Sequence, residues 1–289
     1  MGQELAECIR GPSGQLGGLV KIITENISNT EEQAVAAGLL ADLPERDMGL
    51  TRQMLDEGAF QLVISRVARI RQGETRGNRF MTPYLEGLVR VLARITFVLA
   101  NEPDAVAFCQ EHNLASVFTE LLQVAGLDNV QMVSAIALEN LSHECKNLTR
   151  LPESSLPGQA LEKLVANLDH TNEKVVEASL EAMSTLLEDE LDIENGVSVL
   201  CEVEAIRPIL DVLIEKRTET LMRRAVWVVE KLLRTDDIAY EVSGDPNVST
   251  ALGDAFQHGD YRTRQIAEHA LKHVDKIPNF SGIFPNLGQ

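Results

Sequence analysis

One sequence phrase returns six times along the chain and restricts its possible folds more than any other feature. Each copy is an amphipathic run that ends in a pair of small and apolar residues followed by a last apolar residue, and the clearest is NVQMVSAIALENLS at 129–142. The copies close at positions 43, 95, 141, 186, 232 and 274, at intervals of 52, 46, 45, 46 and 42 residues. One helical hairpin cannot bury its apolar face alone, whereas stacked copies can. The repeat therefore predicts a stack of helical units.

The interval indicates which kind of stack this is, because repeats of about 40–47 residues are typical of armadillo and HEAT arrays. Aromatic residues make up only 4% of the chain and hydrophobic residues 44%. A core built mainly of Leu, Val, Ile and Ala suits closely packed helices. The sequence predicts an all-α fold, an armadillo-type right-handed α-solenoid whose superhelix contains about six helical repeats.

The predicted organisation is one armadillo repeat domain over 1–289. Its repeats are expected at 16–46, 47–99, 100–145, 156–190, 196–236 and 238–275. Thr30 with Gln33, and Asp128 with Gln131, have the spacing of an N-cap residue and its reciprocal partner, so each pair predicts the start of a long helix. The tail 276–289 contains prolines that cannot continue a helix. Because it is also rich in apolar residues, we expect it to pack on the last repeat.

The charge of the chain excludes one class of partner. There are 44 acidic and 26 basic residues, for a net charge of −18. A field of that sign repels phosphate backbones, so no nucleic-acid binding is expected. The four cysteines are far apart in sequence and predict reduced, buried thiols in a cytoplasmic protein: Cys8, Cys109, Cys145 and Cys201.

Two clusters have the residue types of a reactive centre but not the arrangement. His269 and His273 share a helix face, yet Glu does not follow the first His and no third ligand is evident. The run His143-Glu144-Cys145 contains a thiol and a base, but adjacent helical residues point in different directions. We predict no catalytic residue, no metal ligand and no cofactor in this chain.

Arginines dominate the segment from Arg66 to Arg79, which the repeat spacing predicts to be a surface insertion between two helices. Arg pairs bidentately with phosphate and carboxylate, so the segment is a candidate anion site for lipid headgroups, a phosphorylated partner or an acidic peptide. A solvated loop without a ligand is the alternative interpretation. The candidate residues are Arg66, Arg69, Arg71, Arg76 and Arg79.

Three segments near the end of the chain carry a family resemblance: LRTDDIAYE at 233–241, HGDYRTR at 258–264 and KIPNFSGIFP at 276–285. With them, the chain resembles the C-terminal armadillo region of plant U-box ubiquitin ligases, in particular a senescence-associated plasma-membrane group. The looser armadillo pattern covers the remainder.

The resemblance implies a division of labour within a longer protein. A U-box outside this chain would recruit the ubiquitin-conjugating enzyme. The repeats would select protein substrates, with peripheral contact at the cytoplasmic side of the plasma membrane. It also implies that this chain has no catalysis of its own. Two other interpretations remain open, which are an armadillo scaffold or transport adaptor unrelated to ubiquitin and an enzyme in its own right.

Peptide-binding armadillo proteins carry Asn at one position of successive inner helices, with Trp one turn earlier. The corresponding positions here are Asp42, Arg94, Asn140, Thr185, Lys231 and His273. Asn140 keeps the pattern, and Trp227 keeps the Trp position before Lys231. This departure favours recognition by charge and shape, with Arg94 and Lys231 facing the groove.

Overall fold

Helices account for every regular element in the described part of the chain. A computed structural model describes residues 6–7, 9, 15–25, 30–44, 47–72, 78–99, 111, 113–124, 126–144, 156–188, 193–215 and 218–275. No strand occurs within these ranges. This confirms the all-α prediction, and the physical reason is the periodicity of the apolar residues, which places them on one face of a helix.

The chain divides into two units, Met1–Pro157 and Gly158–Gln289. The helices of the first unit are α1 (Gln15–Thr24), α2 (Thr30–Ala41), α3 (Met48–Asp56), α4 (Ala59–Arg71), α5 (Met81–Leu99), α6 (Leu114–Leu121) and α7 (Asp128–Glu144). The long helices α2, α5 and α7 form a row in which each packs on the next. Shorter helices support the row, with α1 against α2, α4 against α5, and α6 against α7.

The second unit repeats this plan. Its helices are α8 (Leu156–Ala166), which begins just before the boundary, α9 (Glu173–Ser184), α10 (Ile193–Glu202), α11 (Ile206–Ile214), α12 (Glu219–Leu232), α13 (Asp236–Ser243), α14 (Pro246–His258) and α15 (Tyr261–Asp275). Here α9, α12 and α15 form the row, and α11 and α14 pack on α12 and α15. The number of repeats, their boundaries and a single continuous array stay predictions. The predicted packing of the tail 276–289 concerns residues outside the described ranges.

The two predicted helix starts are confirmed, since α2 begins at Thr30 and α7 at Asp128, but the glutamines of these pairs are not reciprocal caps. The amide nitrogen of Gln33 donates to the carbonyls of Ile22 and Glu25, both at 3.1 Å, while its side-chain oxygen accepts no hydrogen bond from the start of α2. The Gln131 amide donates to the Leu122 carbonyl at 2.9 Å. Both glutamines are buried and satisfy the C-terminal carbonyls of the preceding helix, which have no partner within that helix.

Helices α2 and α5 approach so closely that one contact leaves no room for a side chain. A Cβ placed on Gly87 would lie 2.7 Å from the Cβ of Ala37 and 2.9 Å from its carbonyl carbon. Gly38, the neighbour of Ala37 on α2, would have nothing within 4 Å of such a Cβ. The glycine on α5 is therefore a packing requirement, while the glycine on α2 is not.

Substituting these two glycines separates packing from helix propensity. We expect Gly87→Ala to lower the free energy of unfolding, because overpacking of about 1–3 kcal/mol exceeds the roughly 1 kcal/mol gained in helix propensity. Gly38→Ala is the matched control and should raise it by about 0.5–1 kcal/mol. Urea unfolding of both variants measures the difference, and equal midpoints would contradict the close approach of α2 and α5.

Candidate functional site

Exposed apolar side chains concentrate on the row of α2, α5 and α7. Seven large hydrophobic residues are exposed in the described part of the chain, and four of them lie on these three helices. They are Val35, Leu39, Phe97 and Ile136, with exposed fractions between 36% and 58%. Isolated exposed apolar residues are ordinary, whereas a group on adjacent elements marks an interaction surface.

A cavity of about 290 Å³ opens on this surface. Small residues at the helix crossings make the recess, and larger apolar residues and three polar residues form its walls. The apolar part consists of Ala41, Ala93, Phe97, Val133 and Ile136. The polar part consists of Arg90, Arg94 and Asn140. We call this cavity the α2/α5/α7 groove.

Arg94 forms part of the cavity wall, but its guanidinium serves the fold. It is 6% exposed and donates to the carbonyls of Leu43 and Pro44 and, at 3.1 Å, to the hydroxyl of Thr51. The two carbonyls belong to the turn two and three residues beyond the end of α2, at the end of the helix where its dipole is negative. Arg94 therefore lines the cavity, but its guanidinium is hydrogen-bonded to acceptors of the chain itself.

Arg90 lies one turn before Arg94 and is the accessible cation of the groove. It donates to Asp42 at 2.6 Å. The two side chains are 42% and 64% exposed, so solvent screens this ion pair and it adds at most about 1 kcal/mol to stability.

Asn140, which keeps the armadillo Asn position, also lies in the wall of this cavity. Its side chain is half-buried, and its amide nitrogen is 3.3 Å from the hydroxyl of Thr96 on α5. Because one donor of an Asn amide leaves a second donor and the carbonyl oxygen, this side chain can also contact a ligand. Asn140 thus stands where its sequence position predicts.

The row in the second unit presents a different surface, which centres on Trp227. The ring is half-buried, with the Arg224 guanidinium and the Lys231 amine each 5.4 Å from its centroid. Arg224 pairs with Glu181 on α9. Lys231 is only 6% exposed, which contradicts the prediction that it faces an open groove. Its amine lies over the Trp227 ring in a cation–π contact and does not extend into solvent.

The first half of the arginine segment is not part of the surface insertion that the repeat spacing predicted, because it is helical. Arg66, Arg69 and Arg71 lie on α4. Arg66 is 4% exposed and donates to the carbonyls of Thr24, at 3.0 Å, and Glu25. Its role resembles that of Arg94, because the two carbonyls lie at the end of α1.

The three other described arginines of the segment differ in their contacts. Arg71 pairs with Glu120 on α6. Arg79 stacks on the ring of Phe80, 4.5 Å from its centroid, and is exposed, as is Arg69. Arg76 lies outside the described residues.

The other candidate groups are the two histidines of α15 and the run His143-Glu144-Cys145, of which Cys145 lies outside the described residues. His269 is exposed, and His273 is half-buried with its Nε2 3.9 Å from a carboxylate oxygen of Glu230. No group of three His, Cys, Asp or Glu in the described part of the chain could hold a metal ion.

Cys201 is exposed and not buried as predicted. Among the described helices, none is both long and apolar enough to cross a membrane.

Sequence reasoning missed Arg90, Phe97 and Ile136. Their signal was present, since Arg90 and Ile136 stand one turn before Arg94 and Asn140 on the same helix faces. An apolar residue at that position does not differ, in sequence, from a core residue. Only the structure shows that the row leaves it uncovered.

Comparison with solved structures defines the class of protein. A designed armadillo repeat protein matches 90% of this chain with a TM-score of 0.68 and 16% identity. Another designed armadillo repeat protein, solved in complex with the peptide (KR)4, matches with a TM-score of 0.66 and 17% identity. At this identity the likeness concerns the fold, which is that of an armadillo repeat protein.

Sequence comparison gives the family. No protein-family model matches the chain. U-box domain-containing protein 44 of Arabidopsis thaliana is 55% identical over 99% of this chain and 40% of its own length. U-box domain-containing protein 24 of Oryza sativa subsp. japonica is 43% identical over 98% of this chain and 40% of its own length. The chain therefore corresponds to the armadillo-repeat region of plant U-box proteins and spans about two fifths of these relatives.

Substitution of the two arginines in the cavity wall should change the free energy of unfolding by different amounts. We expect Arg94→Gln to lower the free energy of unfolding of the first unit by about 2–4 kcal/mol, because buried carbonyls lose their donor. Arg90→Gln should change it by no more than about 1 kcal/mol. Urea unfolding, with amide hydrogen exchange at the last turn of α2, measures both. A similar effect of the two substitutions would show that Arg94 does not cap α2.

Proposed function

We propose that this chain is the substrate-binding module of a plant U-box ubiquitin ligase. The observation that carries the proposal is the α2/α5/α7 groove, an open cavity whose wall is mostly apolar and includes the exposed side chains of Phe97 and Ile136. The relatives carry the U-box in their names, which supports the connection to ubiquitin transfer. The armadillo neighbour in complex with (KR)4 supports a protein partner.

The groove binds a substrate by burying its apolar side chains. Ubiquitin transfer takes place at another part of the longer protein. An apolar side chain of a substrate enters the cavity between Phe97 and Ile136, and each buried CH₂ group contributes about 0.8 kcal/mol. A U-box in the same polypeptide would hold the conjugating enzyme. Linking the two raises the effective concentration of substrate lysines near the enzyme, which accelerates transfer without any reactive group in the repeats.

Substitution of Ile136 tests the use of the groove. We expect Ile136→Glu, in the longer plant protein that carries this chain, to lower ubiquitin attachment to its substrates by at least about tenfold, because interface centres tolerate such changes poorly. Quantitative mass spectrometry of ubiquitin-modified lysines in plant cells measures this. Leu62→Glu is the matched control, since Leu62 is 48% exposed on α4, away from the groove.

The outcome separates the ligase module from its alternative. If no protein loses ubiquitin in the Ile136→Glu variant while partners of the chain are lost, the repeats act as an armadillo scaffold or transport adaptor. If neither ubiquitin nor partners change, the groove is not a binding site.

Ubiquitin transfer by the isolated chain is a second test. We expect none above the control without ligase, when activating enzyme, conjugating enzyme, ubiquitin and ATP are present, because the chain is proposed to bind only substrate. Formation of ubiquitin chains above that control would make this chain an enzyme.

We also propose a cytoplasmic protein held at the periphery of the plasma membrane by a protein partner. The family resemblance supports the location. Burial of Arg66 and the pairing of Arg71 with Glu120 favour a protein partner over direct lipid contact, since both reduce the positive charge available to a membrane.

Liposome flotation tests the absence of direct contact. We expect the native chain and the Arg69→Gln/Arg79→Gln variant to stay equally unbound to vesicles of phosphatidylcholine with phosphatidylserine and phosphoinositide. Two exposed arginines contribute only about 2 kcal/mol near an anionic surface, against a net charge of −18. Flotation of the native chain that the variant loses would establish these arginines as a lipid site.

A further inference from the structure

The strongest observation beyond the proposed function is the ion pair at the rim of the groove. Arg90 on α5 forms part of the cavity wall, whereas Asp42 does not line the cavity. Asp42 directly follows α2, and its main-chain NH donates to the Gly38 carbonyl at 2.9 Å, which continues the helical pattern by one residue. Its carboxylate reaches the guanidinium from outside the cavity, 2.6 Å from Nη2.

We propose that Asp42 occupies the place of a partner's carboxylate on Arg90, so that the groove selects a peptide in which an acidic residue stands near a large apolar one. This inference rests on the proposed substrate-binding function and names the class of substrate. Asp42 is then an internal competitor, and a partner binds by exchanging its own carboxylate for that of Asp42.

The energetics of the pair permit this exchange. Both side chains are largely exposed, so the pair contributes little to the fold and can open without leaving a buried charge. When Asp42 is displaced, its carboxylate returns to water. The incoming carboxylate meets the same guanidinium, but the peptide that carries it also covers part of the cavity, which excludes solvent and strengthens the charge-assisted hydrogen bond.

The neighbours of Arg90 define the rest of the peptide. Arg90 and Phe97 are seven residues apart on α5 and lie on one face, at a separation of about 10 Å along the helix. An extended chain covers that distance in about three residues. A peptide with Glu or Asp about three residues from Leu or Phe can therefore reach the guanidinium and the space between Phe97 and Ile136 together.

The position of the charges disfavours a basic peptide at the same place. A lysine side chain that enters the cavity meets the guanidinium of Arg90 in its wall, and the carboxylate of Asp42 is already paired with that guanidinium. Like charges at this distance oppose binding, and the lysine would lose part of its hydration without gaining a carboxylate.

Fluorescence anisotropy with the full chain and three labelled probes tests the proposal. The probes are the peptides GSELLFELSG, GSKLLFKLSG and GSESSSESSG. We expect saturable binding of the first probe, and binding weaker by at least about tenfold for the lysine probe and for the serine probe, which lack the carboxylate or the apolar contact. Equal or tighter binding of the lysine probe would overturn the proposal.

Substitutions at Asp42 and Arg90 then test whether this ion pair controls binding of the first probe. Asp42→Asn removes the competitor and should tighten the first probe about two- to fivefold, in keeping with the modest strength of an exposed pair. Arg90→Gln should weaken it about tenfold or more and abolish the effect of Asp42→Asn in the double variant. Glu31→Gln is the matched control, because it removes one exposed carboxylate from α2 without touching Arg90. Equal tightening by Asp42→Asn and Glu31→Gln would reduce the effect to net charge and contradict the exchange.

The experiments distinguish failure of the proposed peptide class from failure of the proposed substrate-binding function. If the acidic probe does not bind while Ile136→Glu still lowers ubiquitin attachment in cells, the peptide class is wrong and the substrate-binding function stands. If the probe binds as expected while ubiquitin attachment is unchanged, the exchange stands and the connection to the ligase is wrong.

Discussion

The carbonyls at the C-terminal ends of helices set the main polar constraint on this structure. A stack of helices buries its ends, and the last carbonyls of each helix then need donors from elsewhere in the chain. In the first unit, buried side chains from later helices provide them. Arg66, Gln33 and the hydroxyl of Tyr84 reach the end of α1, while Arg94 reaches the end of α2. These bonds span up to 61 residues and tie neighbouring helices to one register.

That constraint explains which arginines can bind a partner. A guanidinium within the stack is attracted to the negative end of a helix and is held there by several acceptors, as Arg94 shows. A guanidinium at the rim, such as Arg90, has one exposed carboxylate that another can replace. Composition and charge do not distinguish the two, and only four residues separate them in sequence.

The fold was predictable from the sequence because it depends on the periodicity of apolar residues, and the same pattern recurs in every repeat. The groove was less predictable. Asn140 could be placed from its position in the phrase, whereas Ile136 and Phe97 have the same apolar character as buried residues and become exposed only through the geometry of the row. Arg66 was misjudged for a related reason. A run of arginines indicates a solvated loop in most sequences, and the bonds that bury this one involve carbonyls more than 40 residues away.

The two rows of helices also differ in how many of their polar side chains already form hydrogen bonds or ion pairs within their own unit. On α12, Glu230 is 4% exposed and accepts hydrogen bonds from Arg234 at 2.9 and 3.2 Å. Trp227 lies between Arg224, which pairs with Glu181 on α9, and Lys231, which is buried. A partner at this surface would have to break several interactions for each one it makes. At the α2/α5/α7 groove it displaces water from apolar side chains and exchanges one exposed carboxylate for another. The first unit therefore has the lower energetic barrier to recognition, although Trp227 is the residue that the armadillo pattern makes most conspicuous.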